Sequence, residues 1–135
     1  MTTGNYIILA DVIEHLHDPE ETLARLIPYL KKDGSFLCSI PNMMHISVIS
    51  PLLQGRFDYT DAGICDKTHL RFFTLDSILK LFQKHMTIEK MAGTFGPVSP
   101  EDEQMLDALE GIPNLAQKQE FQIYQYIFCA KKSSL

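Results

Sequence analysis

The chain has 135 residues, 45% of them hydrophobic, with a formal net charge of −5. That is enough apolar material for one domain to bury a core without staples, and the acidic balance excludes a broad phosphate-binding footprint, so no nucleic-acid partner is expected. No apolar run approaches a bilayer span, and the N-terminus lacks the basic, then apolar, then small-residue order of a signal peptide, so the expectation is a cytoplasmic protein with no membrane partner.

Met1 to Asn5 is short and polar and reads as a leader to a single domain over residues 6–131, with residues 132–135 as a tail. Tyr6 to Ala10 is a continuous apolar run, the pattern of a strand buried on both faces. It delivers Asp11, Glu14 and His15 into the following turn. Asp18 as N-cap, Pro19 at the first helical position and Glu21 then open a helix, with Leu23, Leu26, Ile27 and Leu30 as one apolar stripe. It is expected to run to Lys31 or Lys32, with Pro28 kinking its last turn and Asp33–Gly34 as the stop. Ser35 to Ile40 is a second strand, ended by Pro41 and Asn42. Strand, helix, strand at this spacing is a βαβ unit with parallel strands, which fixes the class as α/β.

Met43 to Leu53 is apolar and reads as helical, with Pro51 beginning a new turn after Ser50 or bending the segment. Gln54 to Thr74 has no sustained period, and its aromatic residues Phe57, Tyr59, Phe72 and Phe73 predict an ordered, packed loop. Thr74 caps a helix with Leu75, Ile78, Leu79 and Phe82 on one face, and Met86 to Ala92 reads as a strand. Ser99 and Pro100 start another helix that ends near Leu109 or Glu110, closed by Gly111 and Pro113. Phe121 to Ala130 reads as a long last strand with both faces apolar except at Gln122 and Gln125. Cys38, Cys65 and Cys129 are odd in number and never spaced as C-x-x-C, so they are expected to be buried thiols.

DVIEHLHDP, the helix after it, KKDGSFLCSIPN and GRFDYTDAGICDKTHLRFFT together resemble the second half of a class I S-adenosylmethionine-dependent methyltransferase of the type 11/12/23-like subgroup. Members of that subgroup are often found in cell-surface carbohydrate gene clusters. The resemblance covers Tyr6 to Ala92 most fully. It implies a partial Rossmann-like fold, a mostly parallel sheet holding strands four to seven of seven, with an antiparallel last strand. It also implies S-adenosylmethionine as cofactor, Ala10 and Asp11 beside the cofactor's methionine end, and a small-molecule or sugar acceptor methylated on a hydroxyl. No G-x-G occurs in the sequence, so the glycine-rich turn that cradles such a cofactor is absent from these residues. The isolated chain is accordingly expected to bind the cofactor weakly and to be inactive alone.

D-V-I-E-H and T-H-L-R-F-F are similar to an arrangement in two methyltransferase groups, acting on catechols of the ubiquinone pathway and on small RNAs, in which acids and two histidines hold a metal. The resemblance points to Asp11, Glu14, His15 and His69 as ligands of a divalent ion that polarises a substrate hydroxyl. Without metal, His15 or His69 is the candidate catalytic base. The purely structural alternative is a hydrogen-bonded helix entry at Glu14 and His15 and a loop-packing His69. At the level of the whole chain, the alternative to an enzyme is a non-catalytic half-domain acting as an assembly module. Because the first strand would lose its neighbour in such a fragment, a homodimer or higher oligomer paired through the Tyr6 to Ala10 edges is expected.

Overall fold

The computed structural model describes residues 4–133, and its four strands form one sheet in the order β1-β2-β4-β3. β1 (Gly4–Ala10) pairs parallel to β2 (Leu30–Pro41), while β4 (Gln125–Lys132) runs antiparallel between β2 and β3 (Met86–Thr94). Three strands therefore point one way and the last points against them, the expected partial Rossmann-like arrangement. The helices are α1 (Pro19–Leu26), α2 (Ile46–Leu53), α3 (Leu75–Gln83), α4 (Pro100–Glu110) and the short α5 (Lys118–Gln122). None of the described helices is long and apolar enough to cross a membrane.

β1 begins at Gly4, earlier than its apolar run. Asp18 caps α1 by accepting the Glu21 N–H at 3.1 Å. The helix stops well short of Lys31: α1 ends at Leu26, a tight 3-10 turn occupies Ile27–Tyr29, and β2 starts at Leu30. Pro28 is the cause, since it has no N–H for the Ala24 carbonyl and its ring collides with that group. Asp33 and Gly34 consequently lie inside β2, where the register to β1 breaks. Asp33 takes a left-handed φ of 67°, and a Cβ on Gly34 would stand 2.8 Å from the Lys31 carbonyl oxygen, so this kink requires glycine.

Pro51 sits inside α2 instead of beginning a new turn, and it costs the Ser47 carbonyl its helical partner. Thr74 caps α3 through a reciprocal box with Ser77. The expected strand from Phe121 is displaced: Phe121 and Gln122 belong to α5, and β4 starts at Gln125. Two facts account for this. Phe121 packs with Ile46 and Leu106 in a small second core among α2, α4 and α5, and the Asn42 amide donates to the Glu120 and Ile123 carbonyls at 2.7 Å each, fixing the turn before β4.

The main core lies on one face of the sheet. Leu9, Phe36, Ile40, Tyr126, Phe128 and Ala130 point into it, roofed by Leu23 of α1 and by Ile78 and Phe82 of α3. No helix among the described residues covers the opposite face, and its apolar residues stand open: Ile8 is 69% exposed, Tyr6 63%, Ile127 47% and Leu37 38%. Ile8, Leu37, Cys129 and Lys90 form one row across the strands, and Ala10, Ser39, Ile127 and Ala92 form the next. The hollow they line holds about 520 Å³.

Candidate active site

The carboxyl end of β1 is where the polar residues gather. Asp11 leaves the strand with a left-handed φ of 53°, and its N–H donates to the Ser39 carbonyl at 3.1 Å and the Ser39 Oγ at 3.0 Å. That turn feeds a 3-10 segment, Ile13–His15, whose Ile13 and Glu14 are buried. The loop returning from residue 66 is strapped onto it: the Glu14 carbonyl accepts the N–H groups of Leu70 at 2.8 Å and Arg71 at 3.0 Å. This backbone contact brings His69 over His15, with ring centroids 4.8 Å apart in an edge-to-face arrangement.

Each imidazole is oriented through one nitrogen. His69 Nδ1 lies 2.9 Å from the Ile64 carbonyl oxygen, and His15 Nδ1 lies 3.3 Å from that of Thr68. A carbonyl accepts, so each Nδ1 is the donor, and Nε2 is the nitrogen whose lone pair is open in the neutral ring. Glu14 completes the group. The residue is 1% exposed, and among the described residues no other residue gives either carboxylate oxygen a hydrogen bond. Burial pushes its pKa above the usual carboxylate range; its own backbone N–H opposes the shift, the nearby Asp11 adds to it, and His69 and His15 oppose it. Glu14, His15 and His69 each offer a ligand atom within 4.8 Å of the others.

The expected set of four is thus a set of three. Asp11 lines the same cleft but is not among the three residues whose ligand atoms converge, and its Oδ1 accepts from the Gln125 amide and from Ser39 Oγ at 3.4 Å. The helix-entry network considered for Glu14 is also not what holds its side chain, whose oxygens find no partner among the described residues beyond Glu14's own backbone N–H. His69 does bond a loop carbonyl, through the nitrogen that leaves Nε2 open. Ala10 is exposed on the open side of the sheet, one residue before the turn.

The sequence reading missed Asp66, Gly63 and Tyr124, which line the cleft of about 280 Å³. Asp66 had a local signal, an Asp two residues before a Thr: Asp66 Oδ1 accepts from Thr68 N at 2.8 Å and Thr68 Oγ1 at 2.7 Å. Those bonds, with the two histidines behind them, hold its pKa below the usual range. Gln125 had been visible only as a break in the apolar alternation of the last strand. One carboxylate and two imidazoles with free Nε2 atoms are a donor set that suits a borderline divalent ion, and an orphaned buried carboxylate is costly without one.

The family model described as a methyltransferase domain matches residues 2–85. No curated protein sequence matches the chain. Among solved structures, an S-adenosylmethionine-dependent methyltransferase from Thermotoga maritima is similar with a TM-score of 0.62 at 12% identity, over 98% of this chain and 57% of its own. Magnesium protoporphyrin IX methyltransferase from Synechocystis PCC 6803, solved with S-adenosylhomocysteine, gives 0.56 at 13% identity, over 98% of this chain and 47% of its own. A Bacillus halodurans C-125 protein named as a methyltransferase gives 0.58 at 13% identity, over 98% and 66%. The chain therefore spans about half to two thirds of the length of the structures it resembles, and at these identities the likeness is one of fold.

Proposed function

The chain belongs to the methyltransferase domain family, and from that premise we propose that it forms the acceptor side of an S-adenosylmethionine-dependent enzyme that methylates a hydroxyl of a small molecule or sugar. The observation that carries this reading is the Glu14 carboxylate, buried with no partner from another described residue beside two oriented imidazoles. S-adenosylmethionine supplies the electrophilic methyl group when bound. His69 or His15 accepts the acceptor's hydroxyl proton at Nε2, so that the oxygen can attack the methyl carbon as the carbon–sulfur bond breaks toward sulfur. Glu14 stabilises the imidazolium that results. In the alternative with metal, the same three residues would hold a divalent cation that lowers the pKa of the hydroxyl, and the imidazole Nε2 atoms would then be ligands instead of the base.

Ala10 and Asp11 are assigned to the cofactor's methionine end, since they close the strand that opens on the crevice. The 135 residues contain no glycine-rich turn, so we assign this chain only that wall and the proton-accepting groups. Calorimetry is therefore expected to find weak binding of S-adenosylmethionine, and micromolar affinity for a monomer overturns that part. For the cation, Mn²⁺ added to the chain is expected to broaden the ring-proton signals of His15 and His69 and to spare those of His85. Equal broadening of all three, or none, overturns the site; Glu14→Met is expected to abolish the selective effect while raising stability by about 1–3 kcal/mol, the cost of one buried unsatisfied group.

The assembly-module reading keeps a specific observation of its own. β1 is an edge strand beside a bare apolar face, with no proline, lysine or bulge over Tyr6 to Ala10. We infer that copies associate there through two-fold pairing of those edges, and the two readings are compatible.

A further inference from the structure

Next to the cleft lies a second hollow of about 360 Å³, between α2 and the loop that follows it. Val48 and Pro51 floor it, and Phe57, Ile64, Cys65 and Tyr124 wall it. Tyr124 and Gly63 line both hollows. Gly63 has a φ of 92°, and a Cβ there would meet Tyr124 Oη at 2.9 Å, so glycine keeps the place where the two hollows meet free of a side chain. The loop is tied to itself: Thr60 N–H donates to the Cys65 carbonyl and Lys67 N–H to the Thr60 carbonyl, both at 2.9 Å. Its rings are stacked edge to face toward the imidazoles, with Phe57–Phe72 centroids 6.4 Å apart and Phe72–His69 6.5 Å. The hollow is thus built, and built onto the same support as His69.

Its interior has few hydrogen bonds to give. Ser47 Oγ is 2.7 Å from His45 Nδ1, Thr60 Oγ1 donates to the Ala62 carbonyl at 2.7 Å, and the Ile64 carbonyl takes the His69 proton. Charge is confined to the exposed Arg56 and Asp58, neither of which forms an ion pair among the described residues.

We propose that this hollow is the acceptor pocket and that it takes a single apolar ring bearing one hydroxyl, a phenol or simple aromatic alcohol, with the hydroxyl reaching past Gly63 to the imidazole Nε2 atoms. The assignment rests on the methyl-transfer reading and narrows it. A sugar carries hydroxyls around its whole ring, and each one turned onto the buried Val48 and Ile64 would be stranded at a cost on the order of 1–3 kcal/mol. An aromatic ring strands nothing and gains edge-to-face contact with Phe57 and Tyr124. The volume, at the small end of the roughly 300–1,000 Å³ of ligand pockets, suits one substituted ring.

The test is titration of the ¹⁵N-labelled chain with p-cresol, and separately with methyl β-glucoside. p-Cresol is expected to move the amide signals of Gly63, Ile64 and Tyr124 saturably, and the glucoside to move none of them. Ala62→Trp, at an exposed wall position, is expected to weaken p-cresol about tenfold, or ~1.4 kcal/mol. Glucoside binding in place of p-cresol overturns the proposal, as do p-cresol shifts confined to Ile8, Leu37 and Ile127 on the bare sheet face. Failure of the methyl-transfer reading looks different: p-cresol saturates the Gly63 signals and responds to Ala62→Trp, yet S-adenosylmethionine at millimolar concentration moves neither the Ala10 nor the Asp11 amide signal.

Discussion

The two faces of the sheet are made of similar residues and end in opposite situations. On one, Phe36, Ile40 and Phe128 are sealed under α1 and α3; on the other, Ile8, Leu37 and Ile127 carry comparable apolar bulk and face open space. β1 itself does not distinguish the faces, being apolar at both parities over Tyr6–Ala10 as strands covered on both sides are, while β2, β3 and β4 add polar residues such as Ser39, Lys90, Gln125 and Lys131 to the open one. The difference lies in what the rest of the chain brings to each side: α1 and α3 both pack on the first face, while α2, α4 and α5 make their own small core. A residue's chemistry marks it as fit for burial, and burial itself needs a covering element.

The sharpest way to break this comparison is a pair of adjacent substitutions. Phe36→Ala removes a fully buried ring and is expected to cost about 3–5 kcal/mol, whereas Leu37→Ala, one residue on and facing away, is expected to cost under about 1 kcal/mol in the monomer. Urea unfolding of both variants measures the difference. Equal losses mean that something covers the second face in solution.

That outcome connects to association. Leaving a large apolar side chain wet forfeits roughly 1.5–3 kcal/mol, so several on one surface drive self-contact. Sedimentation at micromolar concentration is expected to show a dimer or larger species, and Ile8→Lys, which puts a charge on the edge strand, is expected to shift it to monomer. A wild-type monomer with the Gly4–Ala10 edge in solvent removes the case for assembly.

The smallest expected effect concerns the second core, where His45 caps α2 by accepting the Ser47 N–H at 3.2 Å. Burial holds its pKa below the ordinary 6.5, with Asp102 opposing. The unfolded chain then takes up the proton more readily than the folded one, so the stability this residue contributes is present above pH 6.5 and declines as pH falls through that value toward the folded pKa. His45→Asn keeps a good capping group and removes the titration. Thermal unfolding between pH 5 and 7, about the range where histidine charges, is expected to be flatter in the variant over the acidic half. An unchanged profile assigns the slope to another group.

The candidate site divides along the same line between local pattern and global contact. Glu14 and His15 are legible in the sequence because they follow an apolar run directly, and the end of a buried strand in an α/β sheet is where polar side chains reach a crevice. His69 was legible only through resemblance. What carries it to His15 is a pair of backbone hydrogen bonds from Leu70 and Arg71 to the Glu14 carbonyl, and backbone bonds leave no trace in residue type. Asp11 was misjudged for a related reason, since its acid chemistry is plain but its carboxylate is held by Gln125, 114 positions away.

By itself the sequence determined the α/β class, the parallel β1–β2 unit, the Asp18 and Thr74 caps, and the Ile78 and Phe82 face of α3, because each depends on residues within a few positions of one another. Tertiary structure alone decided the early end of α1 and the absorption of Asp33–Gly34 into β2, where strand pairing outweighed a local stop signal. It likewise decided the capture of Phe121 by a second core, the three-membered Glu14–His15–His69 group and the bare face. These turn on long-range contacts, whose gain is set by which surfaces meet, and a one-dimensional pattern specifies what a surface is made of without specifying what will lie against it.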